Sequence, residues 1–159
     1  MAEGPRYRVH FRRRREGRTD YRQRQRLLRA RVPRAVVRLS LRNASVQFID
    51  FELTGDKVLA QASSLELADL GWKGAAGNIP ATYLTGYLAG KRAVANGIEE
   101  AVLDIGQKVP VKGSNVFAAL KGMVDAGVDI PCGEDVFPSE DRLAGKHINE
   151  DIAKMIEEV

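Results

Sequence analysis

The sequence predicts an α/β domain built on a mixed sheet with helices on its faces, preceded by a strongly basic arm. Three observations carry this expectation. Residues 33–63 hold three short β-branched runs separated by tight turns. From Ser64 onward, helical and strand patterns alternate. Charge, finally, is divided very unevenly along the chain. Residues 1–42 contain fifteen arginines against three acids, a net +12, whereas residues 43–159 contain ten Lys and Arg against eighteen Asp and Glu, a net −8. The modest total of +4 therefore conceals a cationic arm on an acidic body. Such asymmetry is the footprint of a chain that grips a polyanion with one end.

The arm, residues 1–32, is too charged and too poor in apolar surface to fold alone. It is expected to be extended through Gly17 and to become ordered only on its partner. Every cation before Lys57 is arginine, whose planar guanidinium grips phosphate with paired hydrogen bonds and stacks on bases. Arg6, Arg8, Arg12, Arg13, Arg14, Arg15 and Arg18 are candidate phosphate contacts, and Tyr7, Phe11 and Tyr21 are spaced among them for stacking on unpaired bases. Thr19 and Asp20 can cap a short helix running to about Ala30 and ended by Pro33. On it Arg18, Arg22, Arg26 and Arg29 fall on one stripe, with Tyr21, Leu28 and Val32 on another that would rest on the body. A merely solvated helix face is the plainer alternative.

The body, residues 33–138, opens with strands at Ala35–Leu39, Ser45–Leu53 and Lys57–Ser63, joined by turns at Arg42-Asn43 and Thr54-Gly55-Asp56. Together they form an antiparallel meander whose first hairpin, with Arg38 and Arg42, extends the basic surface. Leu65–Leu70 makes one or two helical turns, and Gly71–Gly77 is a glycine-rich loop. Asn78 caps a helix running to Asn96-Gly97, with Pro80 in its first turn. One of its faces carries Leu84, Leu88 and Ala95. Its neighbour, Thr82, Gly86, Ala89, Gly90 and Ala93, is smooth enough for another backbone to approach closely. Two readings compete for that smooth face: packing against the sheet, or contact with an RNA backbone.

Ala101–Ile105 reads as a central parallel strand, which the right-handed crossover rule places beside the first. A helix follows over Asn115–Ala126, capped by Ser114 or Asn115, and then a short last strand, Val128–Ile130. Residues 139–159 form a C-terminal helical segment, with Asn149 capping a helix whose apolar face is Ile148, Ile152, Met155, Ile156 and Val159. The element order is βββαβαβα.

Several classes of function are set aside. No apolar run approaches the ~20 residues of a membrane span. The arm lacks the apolar stretch of a signal peptide, and its acids and few serines do not suit a transit peptide. Cys132 is the single cysteine, which excludes an internal disulfide and a cysteine-based zinc site, and His10 and His147 lie far apart. A reducing, cytoplasmic compartment fits this usage. No phosphate-binding loop pattern and no metal-binding spacing occurs. RNA is preferred to DNA as the polyanion because no repeated helix-in-groove motif is present.

Several stretches together resemble a known family. Gly4-Pro5-Arg6-Tyr7-Arg8-Val9, the run from Phe11 to Gly17, Thr19-Asp20-Tyr21, Gly71-Trp72, the stretch from Asn78 to Gly86, Ala101 to Gly106, Phe117 to Gly122, Asp125 to Pro131 and Gly145 to Ile148 closely resemble the archaeal large-subunit ribosomal protein L-eighteen family. The similarity spans essentially the whole chain. It implies a truncated ribonuclease-H-like body with sheet order 3-2-1-4-5, and a structural protein that binds 5S ribosomal RNA and helps attach it to the large-subunit RNA at the central protuberance. Neighbouring ribosomal proteins would be its other partners; no cofactor, metal or small-molecule substrate is implied. The family's RNA contacts map onto the arm, the Arg38–Arg42 hairpin, and Trp72, Lys73, Asn78, Thr82, Tyr83 and Thr85. His10, Asn115 and Cys132 depart from the residues the family more often carries there.

The fold so implied invites a search for a two-metal nuclease, whose carboxylates must clamp ions ~3.5–4 Å apart. The first strand has no acid, and Asp50, Glu66 and Asp104 make no convincing set. Catalysis is not expected. A metal-dependent nuclease and a membrane-surface adaptor remain the alternatives to a ribosomal structural role.

Overall fold

The structure is a computed structural model that describes residues 4–148 and Ile152. Its centre is a four-stranded mixed sheet in the order β3-β2-β1-β4. Strands β1 (Arg34–Leu39), β2 (Ala44–Asp50) and β3 (Lys57–Ser63) form the expected antiparallel meander. Strand β4 (Val102–Asp104) lies parallel to β1, with Val36 opposite Asp104. The second strand ends at Asp50 rather than Leu53, and the register with β3 slips between Phe48 and Ile49. The expected fifth strand is reduced to a single parallel bridge, Glu100 to Asp129. Pro131, which has no N–H to donate, stops it three residues after the turn at Gly127.

Alternation along the strands decides which face is covered. Ala44, Val46 and Phe48 of β2 are buried, while Ser45, Gln47 and Ile49 between them are half-buried. Val46 and Phe48 join Ala35, Val37, Ala60 and Ala62 in the core with helices α3 (Ile79–Ala95) and α4 (Asn115–Asp125). The opposite face is polar where it is open: Gln47 Nε2 donates to Gln61 Oε1 at 3.2 Å. Strand β3 is an edge, and α3 closes it. Arg92 and Asn96 donate to the carbonyl oxygens of Gln61 and Leu59, at 2.7 and 2.8 Å, so these backbone groups are not free to recruit another strand.

Helix α3 begins as its sequence dictates. The Asn78 side chain accepts from the backbone N–H of Ala81 at 2.8 Å, Pro80 needs no N–H partner in the first turn, and Gly97 leaves the helix at φ 76°. Its smooth face packs on α4, neither on the sheet alone nor toward solvent. A β-carbon on Gly86 would overlap the carbonyl of Ala119, and one on Gly122 would overlap the carbonyl of Tyr83. The two helices thus cross backbone to backbone at reciprocal glycines. Ala95, expected on the apolar face with Leu84 and Leu88, is exposed.

A smaller cluster sits to one side. Leu67, Trp72, Ala81, Leu84 and Ile152 are buried together beside the 3-10 turn Glu66–Ala68. Beyond the 3-10 turn Glu134–Val136, Ser139 precedes the one-turn helix α5 (Glu140–Leu143). Apart from Ile148, which is exposed, and Ile152, the expected C-terminal helix from Asn149 to Val159 lies outside the described residues. Among the described residues no helix is long and apolar enough to cross a membrane.

Candidate nucleic-acid interface

Two short helices shape the arm. Expected to be extended, it carries one helical turn, α1 (Arg12–Arg15). Four adjacent cations oppose such a turn. Glu16 offsets them, meeting Arg12 at 3.3 Å and Arg18 at 2.9 Å. Helix α2 (Tyr21–Leu28) starts where the sequence places it, the Asp20 carboxylate accepting from the N–H groups of Arg22 and Gln23 at 2.9 and 3.2 Å. It stops short of Ala30 and well before Pro33, as the chain turns through Arg31 at φ 58°. The side of α2 that meets the body is Gln23, Arg24, Leu27 and Leu28, all half-buried, so Tyr21, expected among them, is instead exposed.

Most of the sequence-predicted contacts are presented to solvent. Arg6, Tyr7, Arg8, Phe11, Arg12, Arg13, Arg14, Arg15, Arg18, Tyr21, Arg22, Arg26 and Arg29 are exposed, and so are Arg42 at the β1–β2 turn and Lys73. His10 and Cys132 are exposed as well. The glycine-rich loop returns against the hairpin: a β-carbon on Gly77 would lie 3.1 Å from the carbonyl carbon of Arg42. Asn115 fixes that loop by donating to the Gly77 carbonyl at 2.7 Å.

Five positions need correction. Trp72 is buried in the small cluster, its indole 3.4 Å from the Ala75 carbonyl, and cannot stack on a base from there. Thr82 and Thr85 are fully buried, and their hydroxyls donate back to the carbonyls of Asn78 and Ala81 at 2.8 and 2.7 Å. They support the α3–α4 crossing. Asn78 is committed to its cap. Tyr83 donates to Asp125 at 3.1 Å, and burial, then the Asp125 charge, push its hydroxyl pKa to about 12. The family resemblance groups these positions into one region; the crossing with α4 and the small cluster engage them within the body.

Arg38 is exposed but half committed. Its Nη1 donates to the carbonyls of Val37 and Asp104, both at 2.9 Å, and its Nη2 meets the Asp104 carboxylate at 3.2 Å. Gly106, at φ 64°, lets the guanidinium lie against bare backbone; a β-carbon there would stand 3.1 Å from Arg38 Cζ.

Sequence reasoning missed the network that anchors this surface. Arg24 on α2 grips both oxygens of Asp56, at 2.6 and 2.8 Å. Buried Arg34 bridges two acids, Asp56 at 2.7 Å and Asp104 at 2.8 Å. The chain of contacts Arg24–Asp56–Arg34–Asp104–Arg38 thus ties the arm to β1 and β4. A hydrogen bond from Arg24 is the main reason the Asp56 pKa is lowered. For Asp104, burial acts upward, but the charge of Arg38, the Gly106 N–H and hydrogen bonds from Arg38 and Arg34 outweigh it and hold the pKa below the usual carboxylate value. The only sequence signal for this network is Arg34 itself, a cation heading an apolar strand.

The three acids weighed for a nuclease are engaged separately. Asp104 is bound to arginines, Glu66 meets Arg92 at 2.7 Å and caps the N–H of Ser63, and Asp50 accepts from Phe51. Among the described residues no group of three or more His, Cys, Asp or Glu side chains is arranged to hold a metal ion.

A family described as "Ribosomal large subunit proteins 60S L5, and 50S L18" matches residues 5–100. The large ribosomal subunit protein uL18 of Methanothermobacter thermautotrophicus is 51% identical over 158 residues, covering 99% of this chain and 82% of the relative. Its counterpart in Methanobrevibacter smithii is 56% identical over 148 residues, covering 93% and 77%. That of Korarchaeum cryptofilum is 52% identical over 158 residues, covering 99% and 81%. With the family match over residues 5–100 and 51–56% identity over nearly the whole chain, the chain belongs to the family of large-subunit ribosomal proteins that includes 60S L5 and 50S L18.

Proposed function

We propose that this chain binds 5S ribosomal RNA and helps attach it to the large-subunit RNA in the central protuberance. Membership of the family makes it a structural protein of the large subunit, not an enzyme, in the cytoplasmic ribosome. The observation that supports the finer reading is the arm. Thirteen exposed arginines and aromatics between Arg6 and Arg29 line one continuous stretch, and the body acids nearest to it, Asp56 and Asp104, are locked to buried Arg34. Arg42 and Lys73 widen the surface toward the hairpin. Neighbouring ribosomal proteins and large-subunit RNA are the remaining partners of this reading.

We also read the sheet as a truncated ribonuclease-H-like arrangement of order 3-2-1-4-5. What supports it is the β3-β2-β1-β4 order, with the Glu100–Asp129 bridge at the fifth position.

The experiment is a titration of the purified protein against 5S RNA, tRNA and anionic vesicles at several salt concentrations. Preferential binding to 5S RNA, without cleavage in magnesium, is expected. Equal affinity for tRNA, or vesicles that displace the RNA, would refute the assignment.

A further inference from the structure

We propose that the groove between the arm and the body accepts an unpaired stretch of the bound RNA, and that Lys108 of the body closes on the phosphate held by Arg13 and Arg18. This rests on the reading of the chain as an RNA-binding protein. It adds residues of the β4–α4 loop, which face the arm across the groove, to those of the arm and the hairpin.

The groove has a volume of about 770 Å³ and is bounded by the turn of α1, the start of α2, β1 and residues 104–108. That is within the ~300–1,000 Å³ of sites that enclose whole small molecules. It admits a nucleotide, whereas a duplex keeps its bases stacked inside and offers only its outer backbone. The two walls are physically joined, because Gln107 donates through Nε2 to the Gly17 carbonyl. Arm and loop therefore form one receptor.

Its chemistry is asymmetric. Three acids line it: Asp56 and Asp104 are already paired with Arg24, Arg34 and Arg38, and Asp20 is engaged in capping α2 through the N–H groups of Arg22 and Gln23. At the rim, Lys108 is exposed and has no ion-pair partner among the described residues. Arg13 uses only Nε internally, on the Thr19 hydroxyl at 2.9 Å, and Arg18 only Nε, on the Glu16 carboxylate at 2.9 Å, which leaves the terminal nitrogens of both for an anion. Arg38 has five N–H donors in principle and spends three of them on Val37 and Asp104. Its remaining donors border the groove. Tyr21, 38% exposed, lines the same opening and offers a ring for stacking. Free cations, spare donors and one aromatic face are what an unpaired nucleotide requires.

The test uses the full chain. Lysines are chemically methylated with and without 5S RNA, and affinity is measured for Lys108→Glu and for Lys91→Glu. Lys91 is an exposed control on α3, outside the set of residues that bound the groove. Lys108 should be protected by the RNA and Lys91 not. The Lys108 variant should bind roughly tenfold or more weakly and with a salt slope flatter by about 0.7. Against a short, fully paired RNA duplex the two variants should match. Should the unaltered protein show no preference for 5S RNA, the underlying function fails. Should it bind 5S RNA while Lys108→Glu behaves like Lys91→Glu, or lose equally on the duplex, the groove is not the site. Denaturant unfolding of both variants, expected to match the parent, separates binding from folding.

Discussion

Asp104 offers the sharpest test of how this fold is held. Replacing it with Asn keeps the shape and removes the charge. In the native protein one carboxylate oxygen faces Arg34 at 2.8 Å, while the other accepts from Arg38 at 3.2 Å and from the Gly106 N–H at 2.8 Å. An amide has one acceptor oxygen, so whichever way it turns, its NH2 group opposes a donor. The Arg34 side chain is 4% exposed and its Nε already lacks a partner, so bulk solvent cannot step in for the missing carboxylate oxygen. Removing one partner of a buried pair costs about 3–5 kcal/mol when the other charge is left uncompensated; Asp56, still 2.7 Å from Arg34, offsets part of this and places the expected loss at the lower end. Arg38, at 48% exposure, contributes little to that sum. For a chain of this size that range corresponds to roughly 6–20 °C in Tm, and the expected loss to its lower part. Urea unfolding at neutral pH, with an unchanged m-value, is the assay. Adding Arg34→Met should recover part of the loss, giving a coupling of about 0.5–3 kcal/mol. An Asn variant within about 1 kcal/mol of the parent would refute the claim that this pair organises the β1–β4 junction. The same variant incubated with RNA and magnesium should leave the RNA intact, as should the parent.

Gly86→Ala should destabilise by more than the ~1–3 kcal/mol of ordinary overpacking, since the added carbon meets the Ala119 backbone; a thermal scan showing no loss would mean that the α3–α4 crossing can slide. Acid sensitivity should follow Asp56 and Asp104. Both have folded pKa values below the unfolded ~3.9, so their stabilisation is complete above that pH and is lost as pH falls through the folded values. Arg24→Ala should therefore lower stability at pH 7 and by progressively less as pH falls below ~3.9 and Asp56 takes up its proton, and a loss independent of pH would contradict the linkage. Changing Arg12, Arg13, Arg14 and Arg15 together to Lys should weaken 5S RNA binding while sparing binding to a scrambled RNA, because ammonium cannot fork onto phosphate or stack. Changing the four to Ala should flatten the salt slope by about 0.7–0.9 for each phosphate left without its arginine; an unchanged slope would remove α1 from the interface.

Local chemistry made much of this protein legible from its sequence alone. Asn78, Pro80 and Gly97 mark the two ends of α3 because capping and left-handed exit are decided within a few residues. Short β-branched runs between turn residues placed the three strands of the meander, while which side of each is buried came only with the helices that cover it. The charge of the arm needed no fold to be read. What the tertiary structure decided is everything that depends on residues distant in sequence. Thr82, Thr85 and Trp72 look like surface polar or aromatic positions until α4 and the small cluster cover them. Glycines 86 and 90 announced a close approach, but only the crossing showed that Gly122 reciprocates from α4. Arg24 and Asp56 are 32 residues apart, and Arg34 and Asp104 are 70 apart. No periodicity links such pairs. A buried charge must find its counter-ion wherever the chain brings one, so the pairing of the arm with the body, and the groove between them, belongs to the fold.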